Sequence, residues 1–146
     1  MMKSLLVSLS FVMAAVAVSA SPDVSAMVDP YLRIQTALAA DSMKDVQTDA
    51  GAVAAAAGRL GAEAAPIRTA ASALQQATAI GQARAAFFTL SEALIAWAEK
   101  TKTPMGGVKK AYCPMEKKHW VQSGDRIANP YAGKKMLRCG EFQGSY

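Results

Sequence analysis

The feature that most constrains this fold is the spacing of apolar residues in the alanine-rich stretch before residue 103. They recur three and four positions apart in four segments, which short turn sequences separate. This spacing places apolar side chains on one face of an α-helix. Four helices joined by short turns favour an antiparallel up-and-down bundle. We therefore predict an all-α fold, an antiparallel four-helix bundle, for residues 21–103.

Capping residues predict where the helices begin. Asp29 followed by Pro30 predicts the start of the first helix, and Asp41 with Ser42 predicts the cap of the second. The third helix is expected over residues 64–78. The fourth has large apolar residues on two faces, which predicts a central position: Phe87, Phe88, Leu90, Leu94, Ile95 and Trp97.

The composition changes near residue 103, where alanine gives way to glycine, proline, lysine and aromatic residues. Residues 104–146, called the C-terminal segment below, show no helical period. We predict an irregular segment in which residues 112–113 and 136–139 form short strands or extended segments. It should pack on the bundle and form one domain with it, because it has several large apolar anchors: Trp120, Ile127, Tyr131 and Leu137.

Residues 1–20 have the three parts of a secretory signal peptide. Lys3 supplies a positive start, residues 5–18 are mostly apolar, and Val18-Ser19-Ala20 offers short side chains for cleavage. We predict cleavage after Ala20, with Val24-Ser25-Ala26 as the fallback, and a periplasmic location. The apolar run is shorter than the about 20 residues of a membrane-spanning helix. No stable membrane insertion is therefore expected after cleavage.

Charge differs between the two parts of the exported chain. Residues 21–99 contain five basic and eight acidic residues, whereas residues 100–146 contain ten basic and three acidic ones. A basic segment is typical of a solvated surface or of a docking site for an acidic partner or an anionic headgroup. Because export disfavours nucleic acid as a partner, another periplasmic protein is the expected one.

Four sulfur atoms and one imidazole in the C-terminal segment are candidate metal ligands. They belong to Cys113, Met115, Met136, Cys139 and His119. Thiolate and thioether ligands favour soft ions, so Cu(I) or Ag(I) is the expected cofactor. The alternative is a structural disulfide between the two cysteines, which would stabilise the fold by roughly 3 kcal/mol. The residues alone leave both interpretations open.

Catalysis is not expected. The single histidine and the scattered serines form no persuasive triad. No glycine-rich phosphate loop follows a strand. Glu92 and Glu99 lie seven residues apart, but no Glu-x-x-His pair accompanies them.

Many fixed positions of the C-terminal segment form one ordered motif. They are Tyr112-Cys113-Pro114-Met115, Trp120, Ile127, Asn129-Pro130-Tyr131, Gly133, Met136 and Cys139-Gly140. This motif resembles a bacterial periplasmic family of domains of unknown function. That family occurs alone or fused to adaptor subunits of copper/silver-type heavy-metal efflux systems.

The helices match that family more loosely. The matching positions are Tyr31, Leu38, Asp41, Arg84, Phe87, Leu90 and Ser91. The resemblance implies a helical bundle and a link to metal resistance. It also implies that Cys113, Met115, Met136 and Cys139 carry the motif. The function expected from the sequence is a periplasmic Cu(I)- or Ag(I)-binding accessory protein whose partner is a heavy-metal efflux adaptor. The alternative is a non-metal interaction module held by a Cys113–Cys139 disulfide.

Overall fold

The computed structural model describes residues 19–146, so nearly all of the predicted signal peptide lies outside the described residues. The helices are α1 Pro22–Ala39, α2 Val46–Arg59, α3 Ala65–Gln75 and α4 Ile80–Thr101. The strands are β1 Lys109–Cys113, β2 Lys118–Gln122 and β3 Glu141–Ser145. Two short 3-10 helices cover Ala62–Ala64 and Gly133–Met136. No helix among residues 19–146 is long and apolar enough to cross a membrane.

The predicted all-α four-helix bundle is wrong as a fold class, because a three-stranded antiparallel sheet follows the helices. Its strand order is β2-β1-β3. Each strand is five residues long, and only β1 has a partial alternation of burial, so the period-two signal of a strand is weak. The strand expected at 136–139 is also wrong, since Met136 ends a 3-10 helix.

The first two helices begin elsewhere than predicted. Helix α1 starts at Pro22, with Ser21 as its N-cap, and Pro30 lies inside it. The Ser21 hydroxyl accepts a hydrogen bond from the Val24 N–H at 3.4 Å. Helix α2 takes Asp45 as its N-cap rather than Asp41 or Ser42. Asp41 is thereby available for a different contact, described below.

Each helix packs against the next one in the chain, and strand β2 packs against both α1 and α4. The helices contribute mostly small and aliphatic residues to the core: Ile34, Leu38, Val46, Ala50, Val53, Ala57, Ile67, Leu74, Leu90 and Leu94. The same core continues into the C-terminal segment through Met105, Ala111, Trp120 and Val121. The segment is therefore part of the hydrophobic core and not an appendage to it.

Candidate functional site

The two cysteines are joined by a disulfide, with their Cα atoms 5.6 Å apart. Cys113 ends β1 and is fully buried, whereas Cys139 precedes β3 and is half-buried. The Glu116 N–H donates to the Cys113 sulfur at 3.4 Å. The bond ties the first strand of the sheet to the turn that leads into the last one.

The structure separates two of the other three candidate ligands from the cysteines. Met115 lies in the turn between β1 and β2 with 72% of its surface exposed. His119 pairs with Tyr112 across the two strands, while Cys113 pairs with Lys118. Because side chains alternate along a strand, His119 and Cys113 point to opposite faces of the sheet.

His119 instead contacts Glu92 of α4 and Tyr112 of β1. Its Nδ1 lies 3.4 Å from Oε1 of Glu92, and its ring centroid lies 4.7 Å from that of Tyr112. Met136 ends the short 3-10 helix before Cys139, and the Cys139 N–H donates to its carbonyl at 3.0 Å. Of the five candidates, the structure joins Cys113 with Cys139 and holds Met136 in the adjoining turn.

This arrangement does not fit a soft-metal site of four sulfurs and one imidazole. A disulfide offers no thiolate, and thiolates are what such ions prefer. Within residues 19–146, no three His, Cys, Asp or Glu side chains are grouped closely enough to hold a metal ion. Reduction of the disulfide would leave two thiols side by side.

Polar contacts join the C-terminal segment to the helices, and Arg84 of α4 makes three hydrogen bonds where the two parts meet. Its guanidinium donates to the Pro130 carbonyl at 2.8 Å, to the Leu38 carbonyl at 2.8 Å and to Asp41 at 2.6 Å. Asp41 also accepts the Lys134 N–H at 3.1 Å. These hydrogen bonds, that from Arg84 above all, lower the pKa of the Asp41 carboxyl. One arginine therefore connects two helices with the turn after Asn129.

Asn129 shapes that turn from the inside. It is fully buried, and its amide nitrogen donates to the Cys139 carbonyl at 3.0 Å. Its side-chain oxygen accepts the N–H groups of Tyr131 at 2.9 Å and of Ala132 at 3.1 Å. A side chain with both donors and acceptors can satisfy all of these backbone groups at once. Asn129 thus holds the turn and the Cys139 end of the disulfide in one geometry.

Gly133 closes the same turn, and the backbone there has a positive φ of 59°. A Cβ atom at this position would overlap the carboxylate of Asp41 and the guanidinium of Arg84. Glycine is therefore required both by the backbone conformation and by the space that this ion pair occupies.

Aromatic side chains also join the helices to the C-terminal segment. Tyr31 of α1 stacks on Phe87 of α4 at 4.8 Å between ring centroids, and Phe87 lies 6.0 Å from Tyr131. The Tyr31 hydroxyl is 2.6 Å from the Ser91 hydroxyl and accepts the Val121 N–H at 3.1 Å. Burial raises the pKa of Tyr31, so its hydroxyl stays protonated at any physiological pH.

Tyr131 joins the helices to the sheet. Its hydroxyl donates to the His119 carbonyl, and its ring lies edge-on to Trp120 at 5.9 Å and to Phe88 at 6.1 Å. Burial raises the pKa of this hydroxyl as well, which keeps it a donor. The motif residues around Asn129 therefore form an interface inside the molecule.

Sequence reasoning missed this interface. Arg84 stood out only through the family resemblance, Asp41 was also expected as a helix cap, and nothing in the spacing of Arg84, Asp41 and Asn129 shows that they meet. Gln35 and Gln122 were not singled out at all, although both are buried and satisfy backbone groups of the C-terminal segment. Gln35 donates to the Ala128 carbonyl at 2.6 Å. Gln122 accepts the Ala128 N–H at 3.0 Å and donates to the Arg126 carbonyl at 2.8 Å.

These contacts define a small module in which a helical scaffold carries a disulfide-linked sheet. A family model described as a protein of unknown function (DUF3347) matches residues 27–106, which is more than half of the chain. The chain belongs to this family. The matched range covers the helices and ends before β1, so the motif of the C-terminal segment lies outside it. No curated protein and no solved structure shows a significant match.

Proposed function

We propose that this protein is an exported accessory module that binds another periplasmic protein through its C-terminal segment. The observation that carries the proposal is the combination of the Cys113–Cys139 disulfide with the contacts of Arg84 and Asn129. Together they hold an irregular segment in one conformation. A surface that is ordered before binding loses less conformational entropy on association, which favours recognition of a partner.

Two features support export. Disulfides persist in oxidising compartments such as the bacterial periplasm. Cleavage after Ala20 would leave α1 whole, because Ser21 is the N-cap and Pro22 is the first helical residue. Cleavage at the fallback site after Ala26 would remove Val24, which is buried in the core. The geometry of α1 therefore favours the first site.

A second candidate function is binding of Cu(I) or Ag(I) in a reduced form of the protein. The proximity of Cys113 and Cys139 favours it, with Met136 held in the adjoining turn. A thiol reductant would have to supply two electrons and two protons, converting the disulfide to two thiols. Deprotonation of these thiols on metal binding would give two thiolate ligands. A heavy-metal efflux adaptor would then be a suitable partner.

A thiol count separates the two candidates. Protein is purified from periplasm without reductant, alkylated and weighed by mass spectrometry, before and after reduction. Cu(I) is then offered in competition with a chelator. The interaction module predicts no free thiols and no copper uptake in the protein as isolated. Two free thiols that stoichiometric Cu(I) protects from alkylation would instead establish the metal site.

Two matched variants refine the test on reduced protein. Met136→Leu removes a half-buried thioether in the turn before Cys139, whereas Met115→Leu removes an exposed one in the hairpin turn. A metal site built around the cysteines predicts weaker Cu(I) binding for Met136→Leu alone. Equal affinity in both variants and in the unchanged protein would exclude the thioethers as ligands.

In-cell cross-linking tests the interaction itself. A photo-reactive residue at exposed Lys135 should yield a defined adduct in periplasm, and the adduct should weaken when Cys113→Ser and Cys139→Ser release the segment. The same residue placed at exposed Ala52 of α2 is the control. Equal yields at the two positions would contradict a docking role for the C-terminal segment.

A further inference from the structure

We infer that a groove between the end of α1 and residues 128–138 docks an acidic segment of the partner protein. The inference rests on the proposed function and names the surface and the chemistry of its partner. The groove has a volume of about 270 Å³, and Lys134 and Arg138 line it. The rest of its lining is mainly apolar: Ala39, Ala40, Ala128 and Leu137.

Unpaired positive charge is concentrated beside this groove. Of the ten basic residues between 100 and 146, four form ion pairs with carboxylates: Lys100, Lys109, Lys110 and Lys118. The other six form no ion pair within the described residues. Three of these six, Lys134, Lys135 and Arg138, are exposed and lie within five consecutive positions. We call these three residues the basic cluster.

The backbone that carries the basic cluster is held in place before any partner arrives. The Lys134 N–H donates to Asp41 at 3.1 Å, and the Asn129 N–H donates to the Leu137 carbonyl at 2.9 Å. The Arg138 guanidinium donates to the Ile127 carbonyl at 2.6 Å. Cations on an ordered backbone bind carboxylates with less loss of conformational freedom.

The end of α1 would repel an anion if its last carbonyl groups were free, because they carry partial negative charge. Two of these carbonyl groups have hydrogen-bond donors. Arg84 donates to the Leu38 carbonyl, and the N–H groups of Ala40 and Ser42 donate to the Ala37 carbonyl. The charged side chains that line the groove, Lys134 and Arg138, are both positive.

The shape of this surface fits a protein segment better than a membrane. Among the described residues, Met115 is the one large apolar side chain that is strongly exposed, and it lies in the hairpin turn. The groove is concave, so it suits a protruding apolar side chain flanked by carboxylates. A second depression of about 420 Å³ shares Thr36 and Ala40 with it, which extends the surface along α1.

The test compares the basic cluster with the other three unpaired cations. One triple variant neutralises Lys134, Lys135 and Arg138 to Gln; the other neutralises Lys102, Lys117 and Arg126 to Gln. Both lose the same charge, and thermal unfolding verifies that both fold. Binding of a fluorescent synthetic peptide of alternating leucine and glutamate is followed by anisotropy. Vesicles of an anionic phospholipid serve as the second probe.

We expect the cluster variant to bind the peptide about tenfold more weakly than the unchanged protein, since three exposed ion pairs are lost. The matched variant should stay within about twofold, and added salt should weaken binding by screening. Equal losses in the two variants would overturn the inference, because net charge alone would explain them. Cluster-dependent vesicle binding without peptide binding would also overturn it. If the Lys135 cross-link persists in either case, the proposed function stands without this docking site.

Discussion

The helices pack through many small, interchangeable residues, whereas the C-terminal segment is held by individual side chains with defined partners. Ala50, Val53 and Ala57 lie in the helical core and contribute contact area without directional bonds. Asn129 and Gln122 are equally buried, yet each satisfies several backbone groups. Apolar cores tolerate volume-conserving substitution. A buried polar network loses most of its contribution to stability when one member is removed, because the remaining polar groups lose their partners.

This difference predicts how each part of the chain responds to substitution. A residue of the helical core can be exchanged for one of similar volume at little cost in stability. Each polar contact of the C-terminal segment requires one residue type at one position. Within residues 19–146, every buried side-chain nitrogen and oxygen has a hydrogen-bond partner.

Among the predicted changes, loss of the disulfide should most strongly distinguish the stability of the C-terminal segment from that of the helices. Cys113→Ser with Cys139→Ser should lower the free energy of unfolding by about 3–4 kcal/mol, because a loop of 26 residues is released. Thermal unfolding and hydrogen exchange measure it. Amides of the three strands should lose protection before those of α2 and α3. Uniform loss of protection across helices and strands would show that the two regions unfold as one unit.

Asn129→Ala should have the next largest effect. It leaves the Cys139 carbonyl and two N–H groups without partners, which should cost about 2 kcal/mol in a urea titration. Gln47→Ala is the matched control within the helices, because Gln47 is exposed and donates one hydrogen bond, to the Ala77 carbonyl at 2.7 Å. Gln47→Ala should lower the free energy of unfolding by well under half as much as Asn129→Ala. Equal losses of unfolding free energy in the two variants would show that the directional bonds of the C-terminal segment contribute no more than a hydrogen bond of the helices.

Protonation of Asp41 in acid should have the smallest effect on stability. The folded pKa of Asp41 lies below its usual value near 3.8, so its contribution is present above that pH and is lost as pH falls through the folded pKa. Unfolding temperatures of the unchanged protein and of Asp41→Asn are compared between neutral pH and about pH 2. Their difference should be constant near neutrality and shrink in acid. A constant difference throughout would mean that the Asp41 charge contributes nothing.

Sequence reasoning predicted the helices well because a repeat of three and four residues survives in an alanine-rich chain. The large apolar residues of α4 marked its central position, and its Phe87 does contact both α1 and the C-terminal segment. Trp120 and Tyr131, expected as anchors, are buried. These successes share one cause, which is that burial of large apolar residues is visible in the sequence itself.

The sheet and the interface could not be predicted in the same way. Strand β2 has three consecutive buried residues, Trp120, Val121 and Gln122, so no alternation marks it. Strand β3 is mostly exposed and polar. The contacts of Arg84 join residues 46 positions apart in sequence, and no local pattern encodes such a distance. Asp29-Pro30 resembled a helix start although the helix already begins at Ser21-Pro22.

The position of the two cysteines along the chain has a consequence for the order of assembly. Both lie after the last residue of α4. If the chain is exported from its N-terminus, as proposed, all four helices would reach the oxidising side before Cys139 does. The helices could then form rapidly, and the slower oxidation of the thiols would follow. The sheet would then assemble on helices that are already formed, and the disulfide would close last.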